Sequence, residues 1–107
     1  MRGRKVEMEM RSVTETATGT GLTTTYTGLR RVQGTFRLLS ANESLAYQKR
    51  EMFATHRFVF DTPPGLVTVD PAYRWMMVDD SRQYVTVNAN SVGGLGLRWV
   101  VDLLEVR

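Results

Sequence analysis

Few side chains of the types that carry out chemistry occur in this sequence of 107 residues. Histidine occurs once, as His56, and cysteine does not occur. Catalysis by a serine nucleophile needs a base beside it. His56 lies next to Phe58 and Phe60 in an apolar stretch, where a lone histidine more often packs in a core or at a strand edge. We therefore expect no catalytic residue.

Carboxylates are the remaining candidates for acid-base or metal chemistry. Asp79 and Asp80 are adjacent, so on a strand they would point to opposite faces, whereas a metal site needs converging ligands. We interpret them as turn residues. Asp61 and Asp70 are acids of the kind a hydrolase uses, but nothing in the sequence brings them together. The sequence predicts neither an enzyme nor a metal centre.

Two further patterns resemble functional motifs, a phosphate-binding loop and a base-stacking surface. Residues 93–96 read Gly-Gly-Leu-Gly, but no Lys-Ser or Lys-Thr follows and the next segment is a predicted strand, so no cofactor is implied. The second pattern is a set of aromatic residues that could stack on bases but, at strand spacing, is more typical of a core. These aromatic residues are Phe58, Tyr73, Trp75, Tyr84 and Trp99.

Length and composition predict one folded domain over residues 1–107. Hydrophobic residues make up 42% of the chain and charged residues 23%, which suits a core of ordinary size. The absence of cysteine suits a reducing compartment. The basic start is followed by alternating polar and apolar residues, and no apolar run approaches the roughly 18 residues of a membrane helix. We expect neither a signal peptide nor a membrane span.

Charge by itself does not indicate a nucleic-acid binder. The net charge is +3, and the basic residues are mostly dispersed, with Lys49-Arg50 as one of three short groups.

The elements that position these residues are mostly strands. Alternating apolar residues predict strands over residues 4–14 and 29–39. Between them, residues 14–27 are rich in threonine and glycine, and we expect an exposed, mobile loop, with a short strand at its end as an open alternative. Ser40 and Glu43 have the spacing of a capping box, which predicts a helix over residues 43–54. Its apolar stripe is thin, so the helix should dock on a neighbour or move.

Four more strands complete the prediction, over residues 55–61, 73–78, 84–88 and 95–106, with a tight turn at residues 79–82. Short strands and a single helix favour antiparallel pairing. The predicted fold class is all-β and mainly antiparallel: a small six-stranded β-barrel or sandwich with one short helix between the second and third strands and long mobile loops.

Several segments, taken in chain order, carry a resemblance to a known family. They are Thr14-Glu15-Thr16, Phe36 to Ser40, Glu43 to Phe53, Thr55-His56-Arg57, Arg74 to Val78, Arg82 to Val87 and Leu103-Leu104-Glu105. This order resembles the head-tail joining, or head-closure, family of long-tailed bacteriophages. Leu39 stands where that family usually has proline, Ser81 stands where it has a turn glycine, and Val92-Gly93-Gly94 replaces a more charged loop.

The resemblance implies a structural virion subunit at the neck of the particle, assembled in the host cytoplasm. Twelve copies would form a ring below the portal and adaptor proteins, retain packaged DNA and receive the tail terminator or other tail proteins. Residues 40–54 would face the channel, with Lys49 and Arg50 as candidates for transient, sequence-independent contact with double-stranded DNA. A salt bridge to a neighbouring subunit is an equal alternative for these two residues. Candidate ring or partner contacts are Tyr26, Leu45, Tyr47 and Met52.

Two other functions stay open at this stage. The chain could be another neck or tail subunit, such as a tail terminator or completion protein. It could instead be a small barrel that binds single-stranded nucleic acid through basic and aromatic residues.

Overall fold

Six antiparallel strands close into a barrel in the computed structural model, which describes residues 3–66, 68–94 and 96–106. The strands are β1 (Arg4–Thr18), β2 (Gly21–Leu38), β3 (His56–Asp61), β4 (Arg74–Met77), β5 (Gln83–Ser91) and β6 (Arg98–Val106). One helix, α1 (Ala41–Gln48), follows β2, and a short 3₁₀ turn (Val92–Gly94) follows β5. The order around the barrel is β1-β2-β3-β6-β5-β4. The predicted fold class is confirmed.

The core forms because alternate residues of each strand point into the barrel. Phe58 and Phe60 of β3 are buried there, as the alternation predicted, and so are Met8 and Met10 of β1. The other core members are Val32, Phe36, Val69, Trp75, Met77, Tyr84, Trp99, Val101 and Leu103. Most of the aromatic residues that might have stacked on bases therefore fill the core.

The barrel has two different ends. At one end lie α1, the start of β3 and the turn between β4 and β5; we call this the helix end. At the opposite end, the β1-β2 hairpin continues past the barrel, because β1 pairs with β4 only through Arg11 and β2 pairs with β3 only from Thr35. We call residues 12–29 the arm, and this end of the barrel the arm end.

The expectation of a loop over residues 14–27 was wrong, because strands extend over nearly the whole segment and not only over its end. These residues form two strands of the hairpin, paired from Thr14 opposite Thr25 to Thr18 opposite Gly21. The β-branched threonines favour extended backbone, and a two-residue connection with glycines on either side of Thr20 joins the strands. The exposure expected of this segment is confirmed, because every residue from 14 to 29 is exposed.

The helix begins earlier and ends sooner than predicted. Ser40 is its N-cap and forms the predicted capping box with Glu43. The helix ends at Gln48 rather than near Ala54, and Glu51 adopts a left-handed backbone conformation with φ of 58° that a continuing helix would not allow. Residues 49–55 therefore form an irregular connection to β3.

Ser81 lies in the turn between β4 and β5, and its backbone φ is +62°. We expect Ser81→Gly to raise the free energy of unfolding by about 0.5 kcal/mol, because relief of left-handed strain of about 1 to 2 kcal/mol outweighs glycine's greater flexibility when unfolded. Urea unfolding would measure it. Ser44→Gly, within α1, is the matched control and should destabilise by about 0.5 kcal/mol. If both substitutions change the free energy of unfolding in the same direction, the expectation is contradicted.

Candidate interaction surfaces

An ionic network fastens α1 to the barrel wall. Glu43, in the first turn of α1, accepts hydrogen bonds from Arg37 of β2 at 2.7 and 2.9 Å and from Arg57 of β3. It also accepts the backbone N–H of Ser40 at 2.9 Å. The Arg37 guanidinium is the main cause of a Glu43 pKa well below its ordinary value. In the folded protein Glu43 is therefore ionised at neutral pH.

The same network continues beneath α1 to Asp102 of β6, which is only 4% exposed. Arg57 lies directly opposite Asp102 in the β3-β6 ladder and binds both carboxylate oxygens, at 2.7 and 3.1 Å. The Tyr47 hydroxyl of α1 donates to Asp102 as well. Burial, reinforced by this carboxylate, raises the pKa of Tyr47 to about 12, so the phenol keeps its proton and acts as a donor. We call Arg37, Glu43, Tyr47, Arg57 and Asp102 the anchor network.

The anchor network shows that polar contacts hold α1, whose apolar stripe is as thin as predicted, because Tyr47 is its one buried residue. The network's three members outside α1 were missed by the sequence analysis, which concentrated on apolar periodicity. A signal was present: Arg37, Arg57 and Asp102 each alternate with core residues, which places them on the outer face of adjacent strands. Opposite charges on the same face of neighbouring strands are expected to pair.

Acid should weaken this attachment. A group whose pKa is lowered by folding adds stability above its unfolded-state pKa, here 4.5, and loses that stability as the pH falls below it. We therefore expect wild type to exceed Glu43→Gln in free energy of unfolding by a constant amount above about pH 5.5, and by less at lower pH. Urea unfolding at a series of pH values would measure both chains.

Both proteins in that comparison contain His56 and the same other titratable groups, so the contributions of those groups cancel to first order. A difference that stays constant down to pH 3 would contradict the role assigned to Glu43.

His56 is a packing residue at the helix end. Its ring stacks on Phe36, with centroids 4.7 Å apart and planes inclined by 9°, and contacts the edge of Tyr84 at 5.5 Å. Its Nδ1 lies 2.8 Å from the Thr55 hydroxyl. Burial lowers the pKa of His56. These contacts match the core or edge position expected from the sequence.

The predicted contact residues of α1 and of the connection that follows it differ in how far they are exposed. Tyr47 is buried against its own barrel, so in this conformation it contacts Asp102 rather than a partner. Leu45 is 49% exposed and Met52 is half-buried. Lys49 and Arg50 are exposed at the end of α1. No ion pair involves them within the described part of the chain.

Apolar side chains are exposed around α1 as well. Leu38, at the end of β2, is 51% exposed, and Phe53, which precedes β3, is 67% exposed. Leu38, Leu45 and Phe53 are the large exposed apolar side chains on or beside α1 at the helix end, and we call these three residues the helix-end patch. The sequence analysis did not single out Leu38 or Phe53.

The arm has two chemically distinct faces, because residues opposite each other in the ladder share a face. One face carries only hydroxyl side chains apart from glycine, and we call it the threonine face. Its members are Ser12, Thr14, Thr16, Thr18, Thr23, Thr25 and Thr27. The other, which we call the mixed face, carries the predicted contact residue Tyr26 and other apolar side chains. Its members are Val13, Glu15, Ala17, Leu22, Thr24 and Tyr26.

The root of the arm is held firmly to the barrel. Glu9 accepts a hydrogen bond from Arg11 at 2.7 Å and lies 3.7 Å from Arg31. Gly28 leaves room for this carboxylate, since a Cβ at that position would come within 2.9 Å of it. Arg30 donates to the carbonyl oxygen of Pro64 at 2.8 Å. Polar contacts at its base therefore set the direction of the arm, and residues 14–29 are all exposed.

The carboxylates considered for acid-base chemistry serve local structure. Asp61 pairs with Arg98 across the β3-β6 ladder at 2.9 Å. Asp70 accepts the backbone N–H of Ala72 at 2.8 Å. Asp80 accepts the backbone N–H of Arg82 at 3.0 Å, as expected of a turn residue. Within the described residues there is no group of three or more His, Cys, Asp or Glu placed to hold a metal ion.

The helix in the described part of the chain is too short to cross a membrane.

Comparison with known proteins shows the fold alone. No family model matches the sequence, and no curated protein matches it. The structure is similar to the solution structure of protein SF1141 from Shigella flexneri 2a, with a TM-score of 0.67. The alignment covers 97% of this chain and 93% of that chain at 13% sequence identity.

Proposed function

We propose that this protein is a head-closure subunit of a bacteriophage head-tail connector. In that role it forms a ring beneath the portal and adaptor proteins, retains packaged DNA and presents the surface to which the tail attaches. The observation that carries the proposal is the exposure of apolar side chains at both opposite ends of one small barrel. A connector subunit needs such surfaces, because it is contacted from above and from below.

The two apolar surfaces differ in construction. The helix-end patch lies on α1 and its flanking residues, which the anchor network holds against the barrel. At the arm end, Leu22 is 71% exposed and Leu97, just before β6, is 70% exposed. Large apolar side chains with this much exposure are available to bind other proteins. The sequence resemblance to head-tail joining proteins, with its segments in the same order, is the reason for assigning these surfaces to a phage connector.

The position of α1 also supports this assignment. The resemblance implies that the segment between the second and third strands faces the channel, and here that segment ends its helix with Lys49 and Arg50 exposed. Two cations at this point would attract phosphates without reading sequence. The proposal therefore places both side chains toward packaged DNA and assigns the chain no catalytic step.

A tail terminator or completion subunit is the second candidate, and the arm favours it. An exposed hairpin that extends from one end of the barrel is available to a tail-side neighbour. The single-stranded nucleic-acid reading loses its main support, because Phe58, Trp75, Tyr84 and Trp99 are buried in the core rather than placed for stacking.

The test uses DNA-filled, tailless heads that lack this protein. Heads are mixed with the purified chain, and the fraction that retains DNA is counted before and after tails are added. Retention before tail addition, followed by tail attachment, is the expected result. Retention only after tails are present would favour the tail-completion role. Heads that still leak and reject tails would overturn the proposal.

A paired variant tests the DNA contact separately. Lys49→Gln with Arg50→Gln removes two charges from the end of α1, and Arg4→Gln with Lys5→Gln removes the same charge from the start of β1. The proposal expects the first variant to lower DNA retention while tail attachment to the remaining full heads is unchanged. The second variant should behave as wild type. Equal behaviour of the two variants would argue against channel-facing roles for Lys49 and Arg50.

A further inference from the structure

The arm presents two unpaired strand edges. β1 is paired with β4 only over Met8–Arg11, so residues 12–18 have a neighbour on one side only, namely β2. β2 is paired with β3 only over Thr35–Leu38, so residues 21–29 also have one strand neighbour. The seven residues 12–18 span roughly 24 Å at about 3.4 Å per residue. An isolated two-stranded hairpin of this kind is at best marginally stable in water.

The arm also lacks the features that keep free edges apart. Proteins usually protect an exposed edge with lysine, other charges, proline or a bulge. From Thr16 to Leu29 there is no charged residue and no proline, and between residues 12 and 29 the only charge is Glu15. The one irregularity in the β1-β2 register lies between Met10 and Arg11, at the base of the arm, so no bulge interrupts the free edges between residues 12 and 27. An edge left open in this way is suited to pairing with another strand.

A second copy of the chain supplies an edge that fits. If neighbouring subunits stand side by side in the same orientation, β2 of one arm runs antiparallel to β1 of the next, as it does to β1 of its own chain. The two free edges have similar lengths, and because Glu15 is the only charged residue on them, no like charges would face each other. The contact joins different edges, so it is heterologous, and repeated contacts of that kind close into a ring when the rotation allows.

We propose that the arms of neighbouring subunits pair edge to edge, β2 of one copy with β1 of the next, and form a continuous antiparallel sheet around the ring. This inference rests on the proposed ring assembly and names the contact that joins its subunits. The pairing gives each hairpin a strand on both sides. It also aligns the threonine faces into one uncharged hydroxyl surface and the mixed faces into a second surface that contains Leu22 and Tyr26.

The absence of cysteine makes a direct test possible. Single-cysteine variants are made on the threonine face, with Thr16→Cys on β1 and Thr23→Cys, Thr25→Cys or Thr27→Cys on β2. Each β2 variant is mixed in equal amounts with the β1 variant, bound to tailless heads and oxidised. Three β2 positions are used because the register between copies depends on the tilt of the arms. Gln83→Cys, exposed on β5 at the helix end, replaces the β1 variant in the control mixtures.

Disulfide-linked dimers containing one β1 and one β2 cysteine are expected from at least one mixture, at ten or more times the control yield. Their absence from heads that do retain DNA would overturn arm pairing and leave the proposed function standing. Dimers of the β1 variant with itself, without mixed dimers, would also overturn it, because they indicate two-fold pairing. If heads are not restored at all, the same mixtures are oxidised as concentrated free protein, where mixed dimers support the pairing and their absence overturns it.

A second variant avoids oxidation. Thr16→Lys with Thr25→Lys places one charge on each strand of the arm, as natural edge protection does, while Thr68→Lys with Gln83→Lys adds the same charge at exposed sites elsewhere. We expect the arm variant to occupy heads at least ten-fold less than the control variant, with unchanged unfolding of the barrel. Equal occupancy would contradict the pairing.

Discussion

Arg57→Met is expected to lower the free energy of unfolding by about 3 kcal/mol, because it leaves a buried charge without its cation. Asp102 would keep only the Tyr47 hydroxyl as a partner among the members of the anchor network. Glu43 would lose one of its two guanidinium partners, so α1 would be held less firmly. Urea unfolding followed by tryptophan fluorescence would measure the loss.

The same ladder contains a matched control. Arg98 pairs with Asp61 directly across β3 and β6, as Arg57 does with Asp102, but the side chains of Arg98 and Asp61 are 59% and 78% exposed. Arg98→Met should therefore lower the free energy of unfolding by less than about 1 kcal/mol. Losses that agree within about 0.5 kcal/mol for the two variants would contradict the importance of burial, given that exposed pairs contribute up to about 1 kcal/mol.

A double variant separates the lost ion pair from lost packing. Arg57→Met with Asp102→Asn removes both charges and keeps an acceptor for Tyr47. Removing both members of a buried pair is commonly less damaging than removing one. The double variant should therefore unfold at higher urea than Arg57→Met alone. If it unfolds at lower urea, the unpaired Asp102 carboxylate is not what destabilises the single variant.

Gly34→Ala is expected to have the next largest effect, with a loss of about 2 to 3 kcal/mol through overpacking. The pairing of β2 with β3 begins at Thr35, the residue after Gly34, and the two strands lie close together there. A Cβ on Gly34 would lie 2.9 Å from the Phe58 ring and from Phe60 Cβ, and would collide with the carbonyl oxygen of Val59. The nearest atoms belong to the backbone and to two core residues, so they have little room to move.

Gly19→Ala is the control for this substitution. A Cβ at Gly19, in the turn at the tip of the arm, would meet no atom within 4 Å, and its backbone is not left-handed. That variant should match wild type or gain up to about 1 kcal/mol, because alanine restricts the unfolded chain. Thermal and urea unfolding would measure both. A Gly34→Ala protein as stable as Gly19→Ala would show that β2 and β3 can separate at this point without penalty.

Much of the barrel could be predicted from local pattern. The alternation of apolar residues identified the strands and their inward faces, and the spacing of Ser40 and Glu43 identified the start of α1. The length of α1 was overestimated, because residues 49–53 contain good helix formers and only their three-dimensional context produces the left-handed turn at Glu51. Element types were therefore more predictable than their ends.

The candidate surfaces were less predictable. Exposure of Tyr26 and Leu45 followed from their surroundings in the sequence, but Tyr47 lies in an equally polar stretch and is buried. Its burial depends on Asp102, 55 positions away along the chain. The apolar helix-end patch likewise joins residues from β2, α1 and the connection to β3.

By itself, the sequence determined the alternating strands, the composition of the core, the helix start and the uncharged character of residues 16–29. These properties depend on side-chain type and on spacings of two to four residues. Only the tertiary structure decided that the threonine-rich segment is a paired arm and that Arg57 joins Glu43 to Asp102. Both depend on register between strands distant in sequence, since a shift of one residue would turn every side chain to the opposite face.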